Sequence, residues 1–144
     1  MKTYQTPRNI AEIEKEITNR TAERRQFLSK TKDKDLKLAT NPKLINSAIE
    51  ELCDQVAVYG PKATSCIYLQ RRVSSFFSNR SRPSWVYRLK FIGKVICEEL
   101  RKNGLKAEFY VDAFSESPFL ELDRVSLMVT VELPDQTTII RASD

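Results

Sequence analysis

Residues 81–113 read SRPSWVYRLKFIGKVICEELRKNGLKAEFYVDA, and a change of period inside this stretch sets the fold class. Up to Asn103 the apolar residues recur at helical spacing: Trp85, Leu89, Ile92, Ile96 and Leu100 share an arc of about 80° at 100° per residue. Ser81 or Arg82 precedes Pro83 as a helix start, Arg101 and Lys102 occupy the last turn, and Gly104 suits the left-handed residue at a helix exit. Past Gly104 the period drops to two. Leu105, Ala107, Phe109 and Val111 alternate with polar or exposed positions, the pattern of a half-buried strand.

Downstream, SESPFLEL (residues 115–122) reads as a loop. Val125, Leu127, Val129, Val131 and Leu133 then give the strongest alternation in the chain, and Pro134-Asp135 turns into a short edge strand from Thr137 to Arg141. Upstream, Asn41-Pro42 supplies the cap and first residue of a helix whose apolar face is Leu44, Ile45, Ala48, Ile49, Leu52 and Val56, ended by Gly60-Pro61. Cys66, Ile67, Gln70 and Val73, at three- and four-residue spacing, predict a further helix over about residues 63–75. Thr6-Pro7 starts a charged amino-terminal helix running to about Ser29. Its Ile10, Ile13 and Ile17 are heptad-spaced, but Arg20 and Arg24 hold the next seam positions before Phe27. KTKDKDLK (residues 30–37) alternates in sign and reads as a linker. The expected fold is α+β, with about four helices followed by an antiparallel hairpin or three-strand meander. It divides into an amino-terminal helix and linker over 1–37 and one domain over 38–144.

The 144 residues are 41% hydrophobic and 30% charged, enough apolar material for one packed core and too ordered a composition for wholesale disorder. No uncharged run exceeds eight residues (Ala63 to Gln70), which leaves no room for a membrane-spanning helix. MKTYQTPRNIAEIEKE lacks the apolar middle of a secretory signal, so a cytoplasmic protein is expected. There is no histidine, which removes Ser-His-Asp and Cys-His triads and every zinc site that uses imidazole. Cys53, Cys66 and Cys97 are widely spaced and form no C-x-x-C pair, so they read as small apolar residues. Asp112, Glu116, Glu121 and Asp123 could cluster at the sheet loop and hold a divalent cation, as in a metal-dependent nuclease. Their spacing resembles no established nuclease motif, and a solvated acidic loop is the plainer reading. Three glycines make no phosphate-binding loop. No enzyme, metal or cofactor is expected.

Charge is the informative quantity. Residues 1–106 carry 22 Lys and Arg against 11 Asp and Glu, whereas residues 107–144 carry two against eight. From Gln55 to Cys97, 43 residues hold no acidic side chain and eight basic ones, interleaved with Tyr68, Phe76, Phe77, Trp85, Tyr87 and Phe91. Attraction to phosphate is the commonest cause of such one-sign bias; a core of aromatics under a solubilising surface is the plainer one. On the helix of residues 81–103, Tyr87, Lys90, Lys94 and Arg101 lie opposite the apolar arc, with Glu98 at the edge of the stripe and Phe91 also turned outward. That arrangement gives cationic arms for backbone phosphates and a ring for sugars or bases. Phe91 implies either a helix covered on two faces, the preferred reading, or a further contact residue.

Helix, turn at Gly60-Pro61, helix through SCIYLQRRV, then a capped helix ending in ELRKNGLK and two strands: this order resembles a winged helix-turn-helix domain over about residues 41–133. The resemblance implies that the last helix reads the DNA major groove and that the loop between the strands is the wing. Here that wing, Phe114 to Asp123, carries Glu116, Glu121 and Asp123, so it is expected to point away from nucleic acid or to meet a protein.

The reading is a non-enzymatic nucleic-acid-binding protein, with double-stranded DNA preferred because a helix carries the basic face, acting as a regulator or accessory factor. Its contact residues are Arg71, Arg72, Arg80, Arg82, Tyr87, Lys90, Lys94 and Arg101. The other reading is a small assembly subunit with a basic face and an acidic carboxy-terminal sheet, meeting a protein partner or a second copy through the first helix. Trp85 is expected in the core.

Overall fold

The computed structural model of the chain describes residues 9–74, 78–117 and 122–135, with side chains except those at 72–84 and 114–123. Their order is α1 (Ile10–Ala39), α2 (Pro42–Tyr59), β1 (Thr64–Ser74), α3 (Ser78–Lys102), β2 (Lys106–Ser117) and β3 (Leu122–Glu132). The fold is α+β, with three helices and one three-stranded antiparallel sheet among the described residues. The Thr6-Pro7 start and the strand expected over Thr137–Arg141 lie outside them.

α1 does not stop at Ser29. Asn9 caps it, its Oδ1 accepting from the Glu12 amide at 2.9 Å, and the helix runs unbroken through 30–37 to Ala39. No glycine or proline interrupts residues 8–41, and the stretch read as a linker is built from good helix formers. Its carboxy-terminal half packs on α3, burying Asp35 and Ala39. Thr40 ends it by donating its amide and hydroxyl to the Leu36 carbonyl, and Asn41 caps α2 at once by accepting from the Lys43 amide. α2 buries Ile45, Ala48, Leu52 and Val56, and Gly60, at φ 99°, closes it.

The segment after Gly60-Pro61 is strand β1, not the helix expected over 63–75. Ser65 and Ile67 are buried and Leu69 half-buried, while Cys66, Tyr68 and Gln70 are exposed, which is a period of two. β1 therefore supplies the third strand, and the sheet is not a simple meander. β3 lies in the middle, paired antiparallel with β1 on one side and β2 on the other. The strands of the hairpin reach Ser117 and restart at Leu122, so both ends of the stretch read as a loop belong to the ladder, with an irregularity between Ser115 and Ser117. Residues 118–121 lie outside the described ones.

Val125, Leu127, Val129 and Val131 of β3 are wholly buried beneath α3. Leu89, Ile92, Ile96 and Leu100 meet them from the helix, as the wheel of α3 required, and Cys97, outside that arc, is buried as well. Gly93 lets the helix sit close: a Cβ there would lie 2.7 Å from Leu127 Cδ1 and 2.8 Å from Phe109 Cδ2. α2 covers the β1 side, tied by Ser65 Oγ donating to the Ala48 carbonyl at 2.9 Å. α3 is thus covered by the sheet on one face and α1 on another, which accounts for the half-buried Phe91. No helix among the described residues is long and apolar enough to cross a membrane.

Candidate nucleic-acid interface

The sequence-based contact residues separate into two groups on α3 and its neighbours. Tyr87, Lys90 and Lys94 are exposed at three- and four-residue spacing along α3. At 100° per residue their stripe lies roughly 170° from the arc of Leu89 and Ile92, on the side the core leaves free. Among the described residues neither Lys90 nor Lys94 has an ion-pair partner. Glu98 continues the stripe with the opposite charge. Arg101 sits beyond it, but its Nη2 donates to the Ala107 carbonyl at 2.8 Å, which ties it to the joint between α3 and β2.

Arg71 belongs elsewhere. It stands on β1 with its guanidinium 4.8 Å from the centre of the Trp85 ring. Arg88 approaches the same ring at 4.0 Å. Trp85 is half-buried at the edge of the core rather than inside it. Arg72 is paired in register with Arg124, and the side chains of Arg72, Arg80 and Arg82 lie outside the described ones.

Around Trp85 the structure forms a cleft of about 240 Å³ between α1, β1 and α3. Leu69, Leu89 and Ile92 make its apolar wall, and Lys34, Arg71 and Arg88 bring the cations. Arg88 is neutralised there: its Nη2 donates to Asp35 Oδ1 at 2.7 Å and its Nε to Oδ2 at 3.1 Å, with Asp35 only 2% exposed. A forked pair of this kind fixes both groups in one orientation. Lys34 and Asp35 escaped the sequence reading because they sit in the stretch taken for a linker. The signal was present: Leu28, Thr31, Asp35 and Ala39 follow three- and four-residue spacing, one face of a continuous helix.

The far side of the sheet is uncovered. Tyr68, Met128 and Tyr110 stand in one cross-strand row there, each exposed, whereas Phe109 points to the helix side above Gly93. Cys97 is buried under α3, and burial pushes its thiol up from the ordinary value, against the lowering pull of Arg101 and with smaller upward pushes from Glu108 and Glu98. Comparison with known protein families, curated proteins and solved structures finds no match for this chain.

Proposed function

We propose that this is a non-enzymatic nucleic-acid-binding protein that prefers duplex DNA and acts as a regulator or accessory factor. The observation that carries the reading is the Tyr87, Lys90 and Lys94 stripe, exposed on α3 away from the core. Two unpaired ammonium groups one helical turn apart, beside a phenol, suit a helix laid against phosphates. The order of α3 followed by the β2–β3 hairpin is in line with a last helix and wing, which supports the winged-helix likeness at that end of the chain. β1 takes the place of its middle helix, so the likeness rests on α3 and the hairpin. The wing would carry Glu116, Glu121 and Asp123, leaving phosphate contact to the helix. Cytoplasmic residence goes with this reading.

The test is anisotropy of labelled duplex DNA, single-stranded DNA and duplex RNA titrated with the protein over a salt series. Binding should weaken linearly in log–log form, with duplex DNA held best. Absence of binding to all three at low salt would favour an assembly subunit instead. One observation supports that second reading: Ile10, Ile13 and Ile17 on α1 are 69%, 41% and 57% exposed. At 100° per residue they share the face of α1 that carries the buried Asp35 and Ala39 further along, a bare stretch open to a protein partner or a second copy.

A further inference from the structure

We infer that the cleft between α1, β1 and α3 is a binding site for one nucleoside monophosphate unit. The inference deepens the nucleic-acid reading, on which it rests for one of its two ligand sources.

Charge comes first. Arg88 is matched by Asp35 inside the cleft, which leaves Lys34 and Arg71. Neither has an ion-pair partner among the described residues. Two uncompensated cations at one mouth suit a group carrying close to two negative charges. A phosphate monoester carries about −1.5 to −2 near neutral pH, whereas an internal phosphodiester carries one. The fit is therefore to a terminal phosphate.

Arg71 is also prepared for the task. Its guanidinium rests 4.8 Å from the Trp85 ring centre, so its orientation is held before any ligand arrives. A guanidinium stacked on an aromatic face keeps its in-plane N–H groups for oxygen acceptors. Behind it, Leu69, Leu89 and Ile92 offer an apolar wall to a flat ring. Size then limits the ligand. The 240 Å³ cleft is smaller than the pockets of about 300–1,000 Å³ that enclose drug-sized molecules, so it suits one base with its phosphate at the mouth.

The phosphate could come from a free mononucleotide or from the phosphorylated end of a strand, and the experiment separates them. Trp85 is the only tryptophan, so its fluorescence in the full-length protein reports on the cleft directly. The probes are AMP, adenosine, inorganic phosphate, phenyl phosphate, and a single-stranded oligonucleotide with and without a 5′-phosphate. AMP should give a saturable change, with adenosine and inorganic phosphate each at least about tenfold weaker. Arg71→Gln and Lys34→Gln should each weaken AMP by about tenfold with an unchanged circular dichroism spectrum. A preference for the 5′-phosphorylated oligonucleotide assigns the strand end, and a Trp85 response to AMP with none to either oligonucleotide assigns the free nucleotide. An equal response to both oligonucleotides overturns the fit to a terminal phosphate. A Trp85 signal that AMP leaves unmoved overturns the inference, as does phosphate or phenyl phosphate matching AMP. Since AMP contains no strand, this titration stands apart from the duplex assay: either can fail while the other succeeds.

Discussion

Arg88 and Asp35, fifty-three positions apart in the chain, meet as a two-pronged ion pair that fastens α1 to α3. The Asp35 side chain is 2% exposed and that of Arg88 11%, so water reaches neither well. The pair joins a helix that the charge pattern divides in two to the helix that carries the basic stripe.

Asp35→Ala should cost about 3–5 kcal/mol, because it leaves the Arg88 guanidinium enclosed without its counter-charge. Urea unfolding of the variant measures this. The double variant Asp35→Leu, Arg88→Met should lose much less than the two single losses added together, since no lone charge is left behind. Additive losses would mean that the two residues act separately.

Gly93→Ala should destabilise the fold. The new methyl would press on Leu127, which is wholly buried, and on Phe109. Overpacking of this sort costs about 1–3 kcal/mol, offset by about 1 kcal/mol from the better helix propensity of alanine. A thermal melt that rises instead would show Phe109 swinging outward to make room.

Lys90→Ala and Lys94→Ala should each weaken duplex binding and lower the salt slope by about one phosphate's worth. Both side chains are exposed, so stability should stay within about 0.5 kcal/mol. Glu98→Gln, on the same stripe, should strengthen binding slightly by removing a charge that repels phosphate. Unchanged binding isotherms for both lysine variants at every salt concentration would take α3 out of the interface.

Cys97 should resist alkylation in the folded protein, while the exposed Cys53 and Cys66 react with iodoacetamide. Mass spectrometry should find two modified thiols before unfolding and three after. Burial raises the Cys97 pKa, so the folded chain keeps this proton where the unfolded chain gives it up. Its contribution to stability is whole below the ordinary thiol range and is lost as pH climbs through the raised value. A Cys97→Ala variant whose alkaline stability profile matches that of the parent would remove this link.

α2, α3, β2 and β3 were legible because each repeats its apolar period several times: Ile45, Ala48, Leu52 and Val56 at helical spacing, and Val125 to Val131 at every second residue. β1 was not, for two physical reasons. Its first inward residue is Ser65, whose polarity hides its burial because the hydroxyl is satisfied by the Ala48 carbonyl. Tyr68, an aromatic, faces the open side, so hydropathy alone shows no alternation. Asp35 misled in the same way, since a carboxylate in a run of alternating charge gives no hint that a distant arginine awaits it. The basic stripe of α3 could be drawn on a wheel, but the cleft could not. It needs three elements whose meeting only the packing decides.

The sheet order has a consequence for how the chain acquires its shape during synthesis. β1 and β2 lie on either side of β3, and β3 is the last of the three to be made. Until Glu132 has been added, β1 has no strand to pair with in its native register, and its partners lie 48 to 68 positions downstream, from Ser74↔Leu122 to Thr64↔Glu132. The local β2–β3 hairpin closes a short loop, whereas docking β1 must close a long one, so the hairpin should form first. Pulsed hydrogen exchange during refolding should protect the amides bonded across the β2–β3 ladder before those bonded across the β1–β3 ladder. Simultaneous protection of both edges would mean that α2 and α3 hold β1 in place beforehand. Until β3 is made, the helices and the two outer strands have no sheet to close.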